Sequence, residues 1–111
     1  MNRPTRFFSN KQEKKVAKAL GGKQVSNSGA TPFYKGDVTT EDWLIECKTT
    51  TAPLKASFSI KREWLEKNKE EAFAMNKHYS ALAFSFGEDE PNYYVIDEKT
   101  FKQLKEALEH D

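Results

Sequence analysis

Glu13, Val16, Ala17 and Leu20 recur at i, i+3, i+4 and i+7, while Lys11, Lys14, Lys15 and Lys18 take the remaining surface of the same stretch. That period predicts a helix with an inward stripe. It starts after Ser9-Asn10, either of which can cap it, and Gly21-Gly22 stops it. A loop rich in Ser, Asn, Gly and Pro spans 26–35, and the pattern then changes to strands. Asp37–Thr40 and Trp43–Thr50 read as a hairpin turning tightly at Glu41-Asp42. After a connection over 51–57, Ser59 can cap a second helix reaching about Lys77, with Trp64, Leu65, Ala72, Phe73 and Met75 as its apolar side. Tyr79–Phe86 is apolar at nearly every position, which predicts a central strand covered on both faces. An acidic turn over 87–92, a short strand at Tyr93–Ile96 and a helix at Thr100–His110 complete the chain. The order α-β-β-β-α-β-β-α predicts an α/β domain, a mixed central sheet flanked by helices.

The chain has 111 residues, room for a single domain with one modest core, with 1–9 as a basic N-terminal arm. Its hydrophobic fraction is only 37%, but two Trp, eight Phe and four Tyr supply the large apolar areas that disordered chains lack. One cysteine rules out an intramolecular disulfide framework. No apolar run approaches the ~18 residues that span a bilayer, and the basic N-terminus is not followed by a signal-type core. A cytoplasmic protein with no membrane partner is therefore expected.

The net charge of +1 hides an asymmetry. Through Arg62 the balance is +7; from Glu63 onward it is −6. Glu13 is the single acid among the first 36 residues. A basic half suits a polyanion such as DNA or RNA, although solvated faces of both signs would give the same count.

The candidate chemistry lies in the hairpin. Side chains alternate along the second strand, so Glu46 and Lys48 emerge on one face, roughly 6–7 Å apart by strand rise. Asp37 lies across the hairpin, where a partner approaches to about 5 Å. Two carboxylates at that separation repel unless a cation lies between them. Hard oxygen ligands suit Mg²⁺, with Mn²⁺ as a substitute, better than Zn²⁺. The Cys47 carbonyl could add a third ligand, and Lys48 could orient a nucleophile or stabilise charge on a phosphate. Glu13, on the inward face of the first helix, could reach the cluster directly or through water. Ordinary surface acids paired with lysines would satisfy the same spacing. Cys47 itself reads as a small core residue, and His78 and His110 are too isolated for a zinc site or a triad.

The order Glu13, Ser28-Gly29-Ala30, Asp37, Glu46-Cys47-Lys48 resembles the PD-(D/E)xK nucleases, and within them the archaeal-type Holliday-junction resolvases and their phage-encoded relatives. The likeness covers about residues 10 to 96, including the Ser59–Leu65 and Glu71–Phe73 segments and the Ala81–Phe86 strand. It implies a restriction-endonuclease-like core and a Mg²⁺-dependent structure-specific DNA endonuclease cutting near a branch point. Asp37 and Glu46 would be metal ligands, Lys48 the catalytic lysine, Glu13 the acid of the first helix, and Ser28 a group approaching the phosphate. Gly36 stands in place of the motif's proline, and no arginine precedes the Ser-Gly loop, where Gln24 and Ser26 stand. The resemblance further implies a homodimer, with Phe84, Phe86, Tyr93 and Tyr94 as candidate interface or core rings, in a bacterial, archaeal or phage-infected cell. Phosphate contacts would come from Arg3, Arg6, Lys11, Lys14, Lys15, Lys18, Lys55, Lys61 and Arg62. A nuclease of linear duplex and a non-catalytic nucleic-acid-binding module are the alternatives.

Overall fold

Gly21 ends the first helix in the left-handed region, at φ 66°, where only glycine is free of strain. The Gly22 N–H then donates to the Ala17 carbonyl at 2.8 Å, closing a Schellman-type cap. The computed structural model describes residues 5–25, 37–49 and 56–110, the side chains of 5–9 excepted. Within them the elements run α1 (Thr5–Leu20), β1 (Lys23–Gln24), β2 (Asp37–Thr39), β3 (Trp43–Lys48), α2 (Arg62–Ala74), β4 (Tyr79–Phe84), β5 (Tyr93–Val95) and α3 (Glu98–Glu109). This is the order expected from the hydrophobic pattern, and β1 is the strand that the pattern left unplaced.

The five strands form one mixed sheet in the order β1-β2-β3-β4-β5. β1, β2 and β3 pair antiparallel, β3 and β4 pair parallel, and β5 returns antiparallel. A parallel pair needs a crossover, and α2 supplies it. Val16 of α1 packs with Val38, Ile45, Cys47, Ala81 and Ala83 in the buried core. By strand alternation Leu44 and Leu82, both fully buried, face the other way, toward α2. β4 is thus covered on both sides, as its unbroken apolar run predicts.

Several boundaries differ from the pattern. α1 begins at Thr5, so residues 5–9 belong to a helix and not to a separate arm. The cost of helix formation lies in nucleation, and once it is met each added residue gains a bond, which carries the helix through Ser9 and Asn10. α2 begins after Lys61 with no side-chain cap, so Ser59 does not start it. It closes at Asn76, a left-handed residue at φ 59°, with the Lys77 N–H donating to Ala72 O at 2.8 Å. Phe73 and Met75 are exposed, not inward. The inward stripe passes through Asn68 and Ala72, which turns the next residue, Phe73, outward. β4 stops at Phe84, and α3 starts at Glu98 because Asp97 caps it, accepting from the Thr100 N–H at 2.9 Å.

Asn68 is the polar member of this interior. Its Nδ2 donates to Ala81 O at 3.0 Å and to Leu44 O at 3.4 Å, tying α2 to the two central strands. No helix among the described residues is long and apolar enough to cross a membrane.

Candidate active site and nucleic-acid interface

The β2–β3 hairpin delivers its two acids as direct partners: Asp37 stands opposite Glu46 in the ladder. Opposed residues of an antiparallel pair share a face, so both carboxylates point to one side. Lys48 lies two residues along on the same side, with its Nζ 3.9 Å from Glu46 Oε1. That side is the one α2 covers, because the Lys48 ammonium sits 4.4 Å above the centre of the Trp64 ring. Asp37 is buried, whereas Glu46 and Lys48 keep partial access to solvent.

Glu13 is fully buried on α1, beneath the sheet. Gln24 Nε2 of β1 donates to its Oε1 at 3.4 Å. Burial pushes the Cys47 thiol well above the ordinary thiol range, and Glu13, Asp37 and Glu46 push it the same way, Glu13 most strongly. The thiol is thus a buried core group held in its neutral form, not an activated nucleophile. Cys47 and Glu46 alternate across the sheet, so Glu13 adjoins the hairpin from the side opposite to Glu46.

Among the described residues no three carboxylate, imidazole or thiol side chains come together closely enough to hold a metal ion. The pleat accounts for this: Asp37 and Glu46 share a face, and Glu13 comes from the other. The donors that do converge are two carboxylates, with the Cys47 carbonyl on the same strand. This all-oxygen set fits a hard cation such as Mg²⁺ or Mn²⁺ with water completing its shell. Ser28, Arg3 and Lys55 lie outside the described residues, as do the loop over 26–35 and most of the connection over 51–57; the Arg6 side chain does too.

Of the remaining basic groups, Lys11 and Lys15 reach the turn that follows β4, and Lys61 adjoins Trp64 beside Lys48, near the carboxyl end of β3 and β4, where open α/β sheets bind ligands. Gln12, absent from the sequence-based set, holds α1 there: its Nε2 donates to Lys48 O at 2.7 Å and to Asn92 Oδ1 at 3.0 Å. Lys14, Lys15 and Lys18 are exposed along α1. Lys61 lies 5.8 Å from the Trp64 ring centre, and Arg62 pairs with Glu66 at 2.6 Å. Lys11 is engaged: Glu88 and Asp89 of the acidic turn each hold it at 2.8 Å, and Asp89 also reaches Lys15 at 3.7 Å. These contacts raise the Lys11 pKa and lower that of Asp89. Charge segregation along the chain is thereby partly cancelled in space.

Trp64 was also missed as a site residue. In the sequence it is one apolar position of an amphipathic helix, and nothing there distinguishes a core ring from one placed over an ammonium. Compared with protein-family models, curated proteins and solved structures, the chain matches none.

Proposed function

We propose that this protein is a divalent-metal-dependent endonuclease with a PD-(D/E)xK, restriction-endonuclease-like core, acting on branched DNA such as a four-way junction. The observation that carries the reading is the Asp37–Glu46 pair with the Lys48 ammonium 3.9 Å from Glu46, beside Trp64, to which Lys61 also lies close. Asp37, Glu46 and the Cys47 carbonyl would hold Mg²⁺ or Mn²⁺, and Glu13, buried on the opposite face of the hairpin, would add negative charge without ligating the ion. The bound cation would polarise the phosphate and lower the pKa of its water. Lys48, held between Glu46 and Trp64, is placed to stabilise negative charge on the phosphate or to orient the attacking water. Lys14, Lys18, Lys61 and Arg62 would position the backbone without reading sequence.

A homodimer belongs to the same proposal, since two symmetric cuts need two sites. Its surface would be α3, where Phe101, Leu104 and Leu108 are exposed on one face. Leu104 also borders an apolar groove of about 360 Å³ with Trp43, Ile45 and Tyr94. Phe84 and Phe86 are half-buried, which leaves less of their surface for an interface.

The test is incubation with a labelled four-way junction and, separately, its linear arms, with and without Mg²⁺, beside Asp37→Asn. Mg²⁺-dependent cutting of the junction, lost in Asp37→Asn, is expected. Equal cutting of the arms would make it a linear-duplex nuclease. Binding without cutting would leave a nucleic-acid-binding module.

A further inference from the structure

From Lys48 a row of side chains crosses the sheet on one face. Lys48 is the ladder partner of Phe84 on β4, and Phe84 is the partner of Tyr93 on β5. Phe84 stacks on Phe58 at 5.0 Å and 26° and on Tyr93 at 5.7 Å and 27°. The three rings form a short column. Phe86 braces it edge-on against both Phe84 and Tyr93. Tyr93 is nevertheless 50% exposed, on an edge strand of three residues.

A column of rings that ends on a half-exposed aromatic has a natural continuation: another flat π system. Two strand spacings, about 10 Å, separate Lys48 from Tyr93 along this row. A phosphate drawn to the Lys48 ammonium therefore leaves a neighbouring nucleobase within reach of the Tyr93 ring. Lys61 adds a second positive charge near the start of the row, through its position by Trp64. Aromatic platforms beside cationic groups are how proteins hold single-stranded nucleic acid without reading its sequence.

We propose that Tyr93, backed by Phe84, is a stacking platform for an unpaired base, and that the branched substrate is one whose branch point opens to leave a nucleotide unpaired beside the cleaved phosphate. A base inside an uninterrupted duplex is stacked on its neighbours and cannot reach the ring. The inference rests on the nuclease reading for the phosphate at Lys48, but the stacking itself requires no catalysis.

The test measures binding in EDTA, where no metal-dependent cutting occurs. A short labelled oligonucleotide is offered single-stranded and as its duplex to the wild type, Tyr93→Leu, Tyr93→Phe and Tyr93→Trp. Tyr93→Leu should weaken single-strand binding roughly tenfold, within the span seen for removing a stacked base, and leave duplex binding unchanged. Tyr93→Phe should bind as the wild type does, and Tyr93→Trp at least as tightly, which keeps the test valid if the leucine variant folds poorly. Single-strand affinity unchanged in Tyr93→Leu, or equal losses on both ligands, overturns the platform. Tyr93-dependent single-strand binding by a protein that cuts nothing would remove the nuclease and keep the platform. Cutting of intact duplex that ignores Tyr93 would do the reverse.

Discussion

The Lys48 ammonium is held between two groups of different kind: Glu46 Oε1 at 3.9 Å and the face of Trp64 at 4.4 Å from its centre. Both restrict where the ammonium can sit. In the proposed nuclease Trp64 is thereby a positioning residue for Lys48. Cation–π contacts contribute about 0.5–2 kcal/mol, so Trp64→Leu should slow cleavage at saturating DNA by roughly 2- to 30-fold, with Trp64→Phe in between. DNA affinity should barely move. The Lys48 side-chain protons, shifted upfield by the indole in NMR spectra of the wild type, should return to ordinary positions in the leucine variant.

Neutralising the acidic turn tests the opposite side of the site. Glu88→Gln with Asp89→Asn releases Lys11 and Lys15, and should raise nucleic-acid affinity roughly three- to tenfold at low salt. Each lysine freed for a phosphate should steepen the log–log salt dependence by about one. Thermal stability should change little, because exposed ion pairs contribute little to folding. An unchanged salt slope would mean that the lysines of α1 do not meet the ligand.

How much of this was legible in the chain depends on what each feature requires. The element order followed from periodicity, and the glycine stop of α1 from local chemistry at Gly21. The hairpin placed Asp37 against Glu46 because a tight turn at Glu41-Asp42 fixes register. Hydropathy alone could not set the inward face of α2. It favoured Phe73, whereas packing selects Asn68, whose amide meets strand carbonyls that a phenyl ring cannot satisfy. Nor could linear charge segregation anticipate a turn folding back on Lys11. Trp64 over Lys48 is a tertiary relationship across the β3–α2–β4 crossover, with no local signature.

Asn68 is 4% exposed, and its amide bridges two strands. Asn68→Ala should lower the unfolding free energy by about 1–3 kcal/mol, through lost hydrogen bonds and a small cavity. The urea midpoint should fall while the slope stays constant, because the folded state remains compact.

Acid titration isolates a different contact. The Lys69 ammonium, 2.7 Å away, and then the Thr100 bonds hold the Asp97 carboxyl below its ordinary range. Because the folded value is depressed, its contribution is present above the unfolded carboxylate value of about 4 and is lost as pH falls below it. Asp97→Asn keeps a cap acceptor and removes the charge. Its melting temperature should lie below that of the wild type near neutral pH, and the gap should close as pH falls from about 4.

Gly22 has a consequence for how this chain can diverge. A methyl group there would stand 2.6 Å from the Thr39 carbonyl oxygen, against backbone that cannot yield cheaply. In a library randomised at every position, residue 22 should tolerate glycine alone, although it touches no substrate. Its close neighbour Thr39 lies two residues from Asp37 on β2, so mutational intolerance should extend to a position that carries no functional group at all.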